Sequence, residues 1–193
     1  MSSLLEESHE IPTQPESSSK DIPPIDSFQL RQRICGVETE LLIQTFDDRI
    51  LVIITQNGKV GCLTQASLPP QIPLPPPPRP TQTNGHSNAL HILEILPVPP
   101  PALQLTPLVG TPTNPTLYDL HTNQISTLVF YALEMSSCSR RNVVVGLSLK
   151  RTPNTHDSNP NEGNGDEEDI LNDEERERFA GIMDLVSQWN GPQ

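Results

Sequence analysis

The run Ile50-Leu51-Val52-Ile53-Ile54-Thr55 constrains this chain more than any other stretch. Aliphatic and mostly β-branched, it reads as a strand. Ile50, Val52 and Ile54 lie on one side of that strand, and Leu51, Ile53 and Thr55 on the other. A strand in an antiparallel sheet with one solvated face alternates apolar and polar residues. Here neither row is strongly polar, so the sheet needs a cover on both faces. Leu41 and Ile43 oppose Leu42 and Phe46 in the same way.

The neighbouring sequence supplies the rest of a sheet. Phe28, Leu30, Gln32 and Ile34 alternate with Gln29, Arg31, Arg33 and Cys35, a strand with one wetter face. Gly36 marks a turn, Leu41–Phe46 a second strand, and Asp47-Asp48 another turn. Asn57-Gly58 follows the apolar run and is a strong hairpin signal, because a type I′ turn needs positive φ at both central residues. Val60 to Ser67 then reads as a fourth strand, giving an antiparallel meander. Twelve of the 22 prolines fall between Pro69 and Pro101, which predicts an extended linker, since proline removes a ladder donor. His91–Leu96 reads as a short edge strand within it. Leu103–Thr106 resumes the sheet, with Pro107 tolerable only at an edge or strand end.

Two helices follow. Asn114-Pro115-Thr116 is a start signal, and Leu117, Leu120, His121, Gln124, Ile125, Leu128, Val129 and Ala132 fall at helical spacing. Val143 to Leu149 is a strand. The last helix is capped by Asn172 or Asp173, carries Glu174, Glu175 and Glu177 near its positive end, and has the stripe Phe179, Ile182, Met183, Val186 and Trp189. The expected fold is α/β (α+β), a two-layer domain with an antiparallel sheet of about six strands and two helices on one face.

Charge separates this body from its additions. Residues 1–26 hold six acids against Lys20, and residues 151–178 hold ten against Arg151, Arg176 and Arg178; together they carry the whole net charge of -12. Residues 1–26 are therefore expected to be a disordered acidic tail. A single domain spans 27–190, interrupted by disordered inserts at 69–101 (proline-rich) and 151–171 (acidic).

Several function classes are disfavoured. Nucleic-acid binding needs clustered Lys and Arg, or exposed aromatics on a sheet, and the sequence offers neither. The longest apolar runs are too short to cross a membrane, and the N-terminus lacks the basic and apolar regions of a signal peptide. Cys35, Cys62 and Cys138 are odd in number and widely spaced, which fits reduced thiols in a cytoplasmic or nuclear protein. The histidines (His9, His86, His91, His121, His156) are scattered and none has metal-ligand spacing; His121 reads as a helix-packing residue. The acidic cluster Asp166–Asp169 sits in a low-complexity segment unable to pre-organise a site, and no nucleophile or phosphate-loop motif is present. No catalytic residue, metal or cofactor is expected.

Ile34-Cys35-Gly36-Val37, the strand ending in Thr55-Gln56, and Gly58-Lys59-Val60-Gly61 resemble the opening segments of the proteasome assembly chaperone 3 family. Leu103–Gly110, the Leu117–Leu133 helix, the Val143–Lys150 strand and a terminal helix ending at Gln188 and Trp189 continue the likeness over roughly 120 residues. The acidic tail and both inserts depart from it. The resemblance implies a small α/β chaperone that pairs with a same-fold partner, an assembly chaperone 4, or with itself. The pair would promote α-ring formation in the proteasome core particle by binding α-type subunits reversibly.

The residues bear on pairing independently. Two helices cover one face of such a sheet, and a proline- and glutamine-rich insert is a poor lid for the other, so a partner sheet about 10 Å away is the better cover. With Val143, Val145, Leu147 and Leu149 under the helices, the partner would meet Leu51, Ile53, Thr55, Val144, Gly146 and Ser148. The two rows can be exchanged, and both can instead be monomer core. A second reading rests on Leu74, Pro75, Pro76, Pro77 and Pro78. This run resembles ligands of EVH1-, SH3- or WW-type domains and would make the chain an adaptor.

Overall fold

The computed structural model describes residues 25–76, 91–150 and 173–192. Six strands form one open sheet: β1 (Asp26–Ile34), β2 (Val37–Thr45), β3 (Arg49–Thr55), β4 (Cys62–Ser67), β5 (Gln104–Val109) and β6 (Asn142–Ser148). Three helices accompany them: α1 (His91–Ile95), α2 (Pro115–Met135) and α3 (Asp173–Ser187). The two-layer reading holds, with all three helices on one side of the sheet.

β1 and β2 form a hairpin closed by Cys35 and Gly36, whose φ angles of 47° and 74° are those of a two-residue primed turn. β2 pairs antiparallel with β3. Beyond that the strand order is β1-β2-β3-β6-β4-β5, so the expected meander is corrected in two ways. β6 lies between β3 and β4, and it runs parallel to β3 while antiparallel to β4. Asn57-Gly58 therefore closes no hairpin. Residues 56–61 instead step across the end of β6, where the Gln56 and Asn57 groups bond the Ser148 carbonyl and the Lys150 N–H donates to Gln56 Oε1. The physical reason lies in β6 itself. Five consecutive residues, Val143–Leu147, are buried on both faces, and such a strand is best shielded at the centre of a sheet.

α2 begins where the sequence signals it, with Pro115 in the first turn and the Asn114 side chain accepting from Leu117 N–H at 3.1 Å. It packs over β4 and β6, and α3 packs over β1, with Gly181 of α3 against Ile34. Between helices and sheet sits one core that includes Ile43, Ile50, Val52, Ile54, Ile125, Val129, Phe130, Val145, Ile182 and Met183, all nearly inaccessible.

The proline-rich segment departs from expectation at both flanks. His91–Ile95 is a helix and not an edge strand, and Ile92, Leu93 and Leu96 pack on the core. On the other side Ile72 and Leu74 do the same. Arg140 Nη1 donates to the carbonyls of Pro69 (2.9 Å) and Ile72 (2.7 Å) while its guanidinium lies 6.0 Å from the Phe130 ring centre. Tyr131 donates to the Pro75 carbonyl and Gln124 to that of Pro97. The flanks thus thicken the helical layer, because Ile72, Leu74, Ile92, Leu93 and Leu96 find apolar surface there. Residues 77–90, like 1–24 and 151–172, lie outside the described residues, so the expectations for the acidic tail and acidic insert fall there. Arg140→Ala should cost about 2 kcal/mol, since charge-assisted bonds are lost from a side chain only 13% exposed. Chemical denaturation reads the cost, and limited proteolysis should find new cleavage at 69–76; an unchanged pattern would remove the clamp.

Candidate functional site

Pairing register divides the sheet into two rows. On the helical side, Ile50, Val52 and Ile54 sit beside Val143, Val145 and Leu147. On the opposite side Leu51 lies beside Val144, Ile53 beside Gly146 and Thr55 beside Ser148, while β4 adds Leu63 and Gln65 and β2 adds Leu42. The six residues singled out in the sequence thus share the face opposite the helices. Leu42, Leu51, Ile53, Leu63 and Val144 all stand apart from the core cluster. Among the described residues no helix packs on this face.

The centre of that face is smooth. Gly146 has no side chain, and a Cβ there would lie 2.7 Å from Ile53 Cδ1 and 3.0 Å from Leu63 Cδ2. Those two side chains close over the glycine from either side. Val144, flanked by Leu51 and Gln65 on neighbouring strands, is only 5% exposed. Thr55 and Ser148 have other duties. The Thr55 hydroxyl accepts N–H bonds from Asn57 (3.2 Å) and Lys59 (3.1 Å), and Ser148 receives the turn through its carbonyl. They hold the 56–61 connection in place.

Three exposed apolar residues extend the face beyond what sequence alone marked. β5 opposes β4 with a bulge, so that Val109 sits opposite Leu63 with Leu108 as the extra residue. Leu108 and Val109 are 48% and 58% exposed, and Val60, whose carbonyl lies over Gly146, is 48% exposed. Only the alternation of Leu63 in β4 hinted at this side. At the other margin Arg31 reaches Glu38 at 3.0 Å and also bonds Glu40.

A separate cleft of about 630 Å³ opens where α2 begins and β6 ends, lined by Tyr118, His121, Leu149, Lys150, Glu175 and Arg178. Several of its polar groups are engaged in structure, although His121 Nε2 is buried without a hydrogen-bond partner among the described residues. Tyr118 donates to the Cys62 carbonyl at 2.6 Å, and Arg178 donates to the Lys150 carbonyl at 2.8 Å. His121 Nδ1 lies 2.8 Å from the Leu117 carbonyl, which can only accept, so Nδ1 carries the proton. Its ring meets Phe179 edge-on at 5.0 Å. Burial lowers the His121 pKa to about 4, against an opposing contribution from the Leu117 bond. The unfolded chain therefore binds the extra proton first. Stability is complete above about pH 6.5 and falls progressively to about pH 4, by up to ~3 kcal/mol. His121→Phe should flatten that part of the stability–pH curve; an unaltered slope would place the titration elsewhere.

Among the described residues no group of three or more His, Cys, Asp or Glu is placed to hold a metal ion, and no helix is long and apolar enough to cross a membrane. Of the proline run, Leu74 packs on the core and the Pro75 carbonyl is taken by Tyr131, so its start is committed to the fold; Pro77 and Pro78 lie outside the described residues.

No protein-family model matches this chain. A stretch of 44 residues, 23% of the chain, is 41% identical to Proteasome assembly chaperone 3 of Homo sapiens. The protein of that name from Mus musculus matches to the same extent. The matched stretch spans 36% of the length of each of those proteins, about a third.

Proposed function

We propose that this chain is an assembly chaperone of the proteasome core particle, without enzymatic activity, working in the cytoplasm and nucleus. It acts as one half of a pair with a same-fold protein, an assembly chaperone 4, and the pair binds α-type subunits reversibly to promote α-ring formation. Two things support the reading. One is the 44-residue likeness to two chaperones of that name. The other is the apolar sheet face with no cover among the described residues, which carries the pairing step. Leu51, Ile53 and Leu63 remain partly exposed on that face, and a second sheet at about 10 Å would remove them from water. Contacts of this kind typically take ~800 Å² from each partner.

The test is affinity purification of the tagged full-length chain at mild salt. Free α-type subunits and a companion of similar fold should co-elute, and depletion of the chain should slow accumulation of complete core particles. Recovery of the chain alone, with core particles assembling at the normal rate after depletion, would sink the reading.

A further inference from the structure

The open face is not symmetric about its middle, and its asymmetry predicts where a partner sheet sits. On the β1–β2 margin the outward residues other than Leu42 are polar or charged, among them Gln29, Arg31, Arg33, Glu38, Glu40 and Gln44. Arg31 is tied to both Glu38 and Glu40, and these side chains are 65%, 54% and 43% exposed. Burying this trio would strip water from three charges whose mutual attraction only partly replaces hydration. The opposite margin has no such obstacle. Two of the large apolar side chains that remain exposed, Leu108 and Val109, stand there, with Val109 beside Leu63 of β4, and a third, Val60, lies over Gly146 of β6. The bulge at Leu108 and the proline at 107 also make β5 a poor template for edge-to-edge strand addition. This margin is therefore suited to face contact and not to extending the sheet.

We infer that the partner sheet packs off-centre, over β3, β6, β4 and β5, with Val60, Leu108 and Val109 inside the contact and the Arg31–Glu38–Glu40 group left in water. The inference rests on the pairing reading above and adds the footprint to it. Four strands at ~4.8 Å spacing, each about six residues long at ~3.4 Å, give a footprint near 19 by 20 Å. That is about 390 Å² in projection, roughly half of the ~800 Å² a standard contact takes from each partner, so the 56–61 connection has to lie inside the contact as well. The partner surface it fits is a second sheet of the same fold, apolar at its centre.

The experiment uses the full chain with an assembly chaperone 4 from the same source, and the full chain alone at high concentration. Titration calorimetry reads the affinity, and hydrogen exchange on the wild-type pair reads the footprint. The double variant Leu108→Asp/Val109→Asp changes only exposed side chains, so its melting temperature should stay within a few degrees of wild type. It should weaken pairing at least 10-fold, whereas Gln29→Arg should change it less than 2-fold. In the wild-type pair, amides of 60–63 and 108–110 should gain protection and those of 29–33 should not. The footprint is overturned if pairing is intact in the double variant, or if protection falls on 29–33. If the wild-type chain pairs with neither the companion nor itself, the pairing reading fails and the footprint with it; that result is distinct from a footprint in the wrong place.

Discussion

Ile53→Lys is expected to leave a folded but strictly monomeric chain. Ile53 sits on the outer face beside Gly146 and outside the main core, so a lysine there can reach water in the isolated chain. In a sheet-on-sheet contact the same ammonium would be trapped at the centre without a partner, at a cost of several kcal/mol. Pairing should weaken at least 100-fold, about 2.7 kcal/mol, while the denaturation midpoint of the monomer moves little. Sedimentation of variant and wild type across concentration decides the matter. If the variant associates as wild type does, this face is not the contact. A variant that fails to fold would show instead that Ile53 belongs to the monomer's own core.

Gly61→Ala should be the most damaging small substitution in the described fold. Gly61 has φ of +72°, and a Cβ there would stand 1.8 Å from the Leu147 carbonyl oxygen and 2.5 Å from its carbon. That obstacle is backbone of the central strand, which cannot swing aside. Gly58 is the matched control: its φ is +63° but its Cβ would meet nothing within 4 Å. Gly58→Ala should cost about 1 kcal/mol, the usual penalty for a left-handed alanine, and Gly61→Ala upwards of ~3 kcal/mol. Urea denaturation of both variants makes the comparison. Equal costs would mean that conformation alone, and not the close approach to β6, requires glycine at 61. The close approach exists because residues 56–61 must pass over the end of β6 to reach β4.

That detour also explains where sequence reading stopped. Asn57-Gly58 is a sound local signal, and the backbone at Gly58 does adopt positive φ. Turn chemistry reports a change of direction and not what the next strand pairs with. Whether β4 returns beside β3 depends on a strand 75 or more residues further along the chain, and no local pattern carries that information. The same holds for His91–Ile95. Proline density predicted an extended segment, but Ile92, Leu93 and Leu96 recur at a spacing that a helix can turn towards α3. Leu108 and Val109 escaped notice because a bulge, a property of two paired strands, brings them beside Leu63. By contrast, the long α2 helix with its Asn-Pro start and the acidic opening of α3 were legible, since capping and periodicity act within a few residues.

Local patterning alone requires a β-layer apolar on both sides, with Ile50, Val52 and Ile54 facing one way and Leu51 and Ile53 the other, and two amphipathic helices available to cover one of those rows. These follow from the two-residue period of a strand and the 3.6-residue period of a helix, both fixed by local geometry. Which row the helices take, the entry of β6 at the centre of the sheet parallel to β3, and the run of uncovered apolar surface towards β5 emerge only from the folded arrangement. Those choices are set by long-range burial. Val143–Leu147 has no polar side to offer water, so the chain closes over it from both flanks, and the apolar surface left over lies wherever its own helices cannot reach.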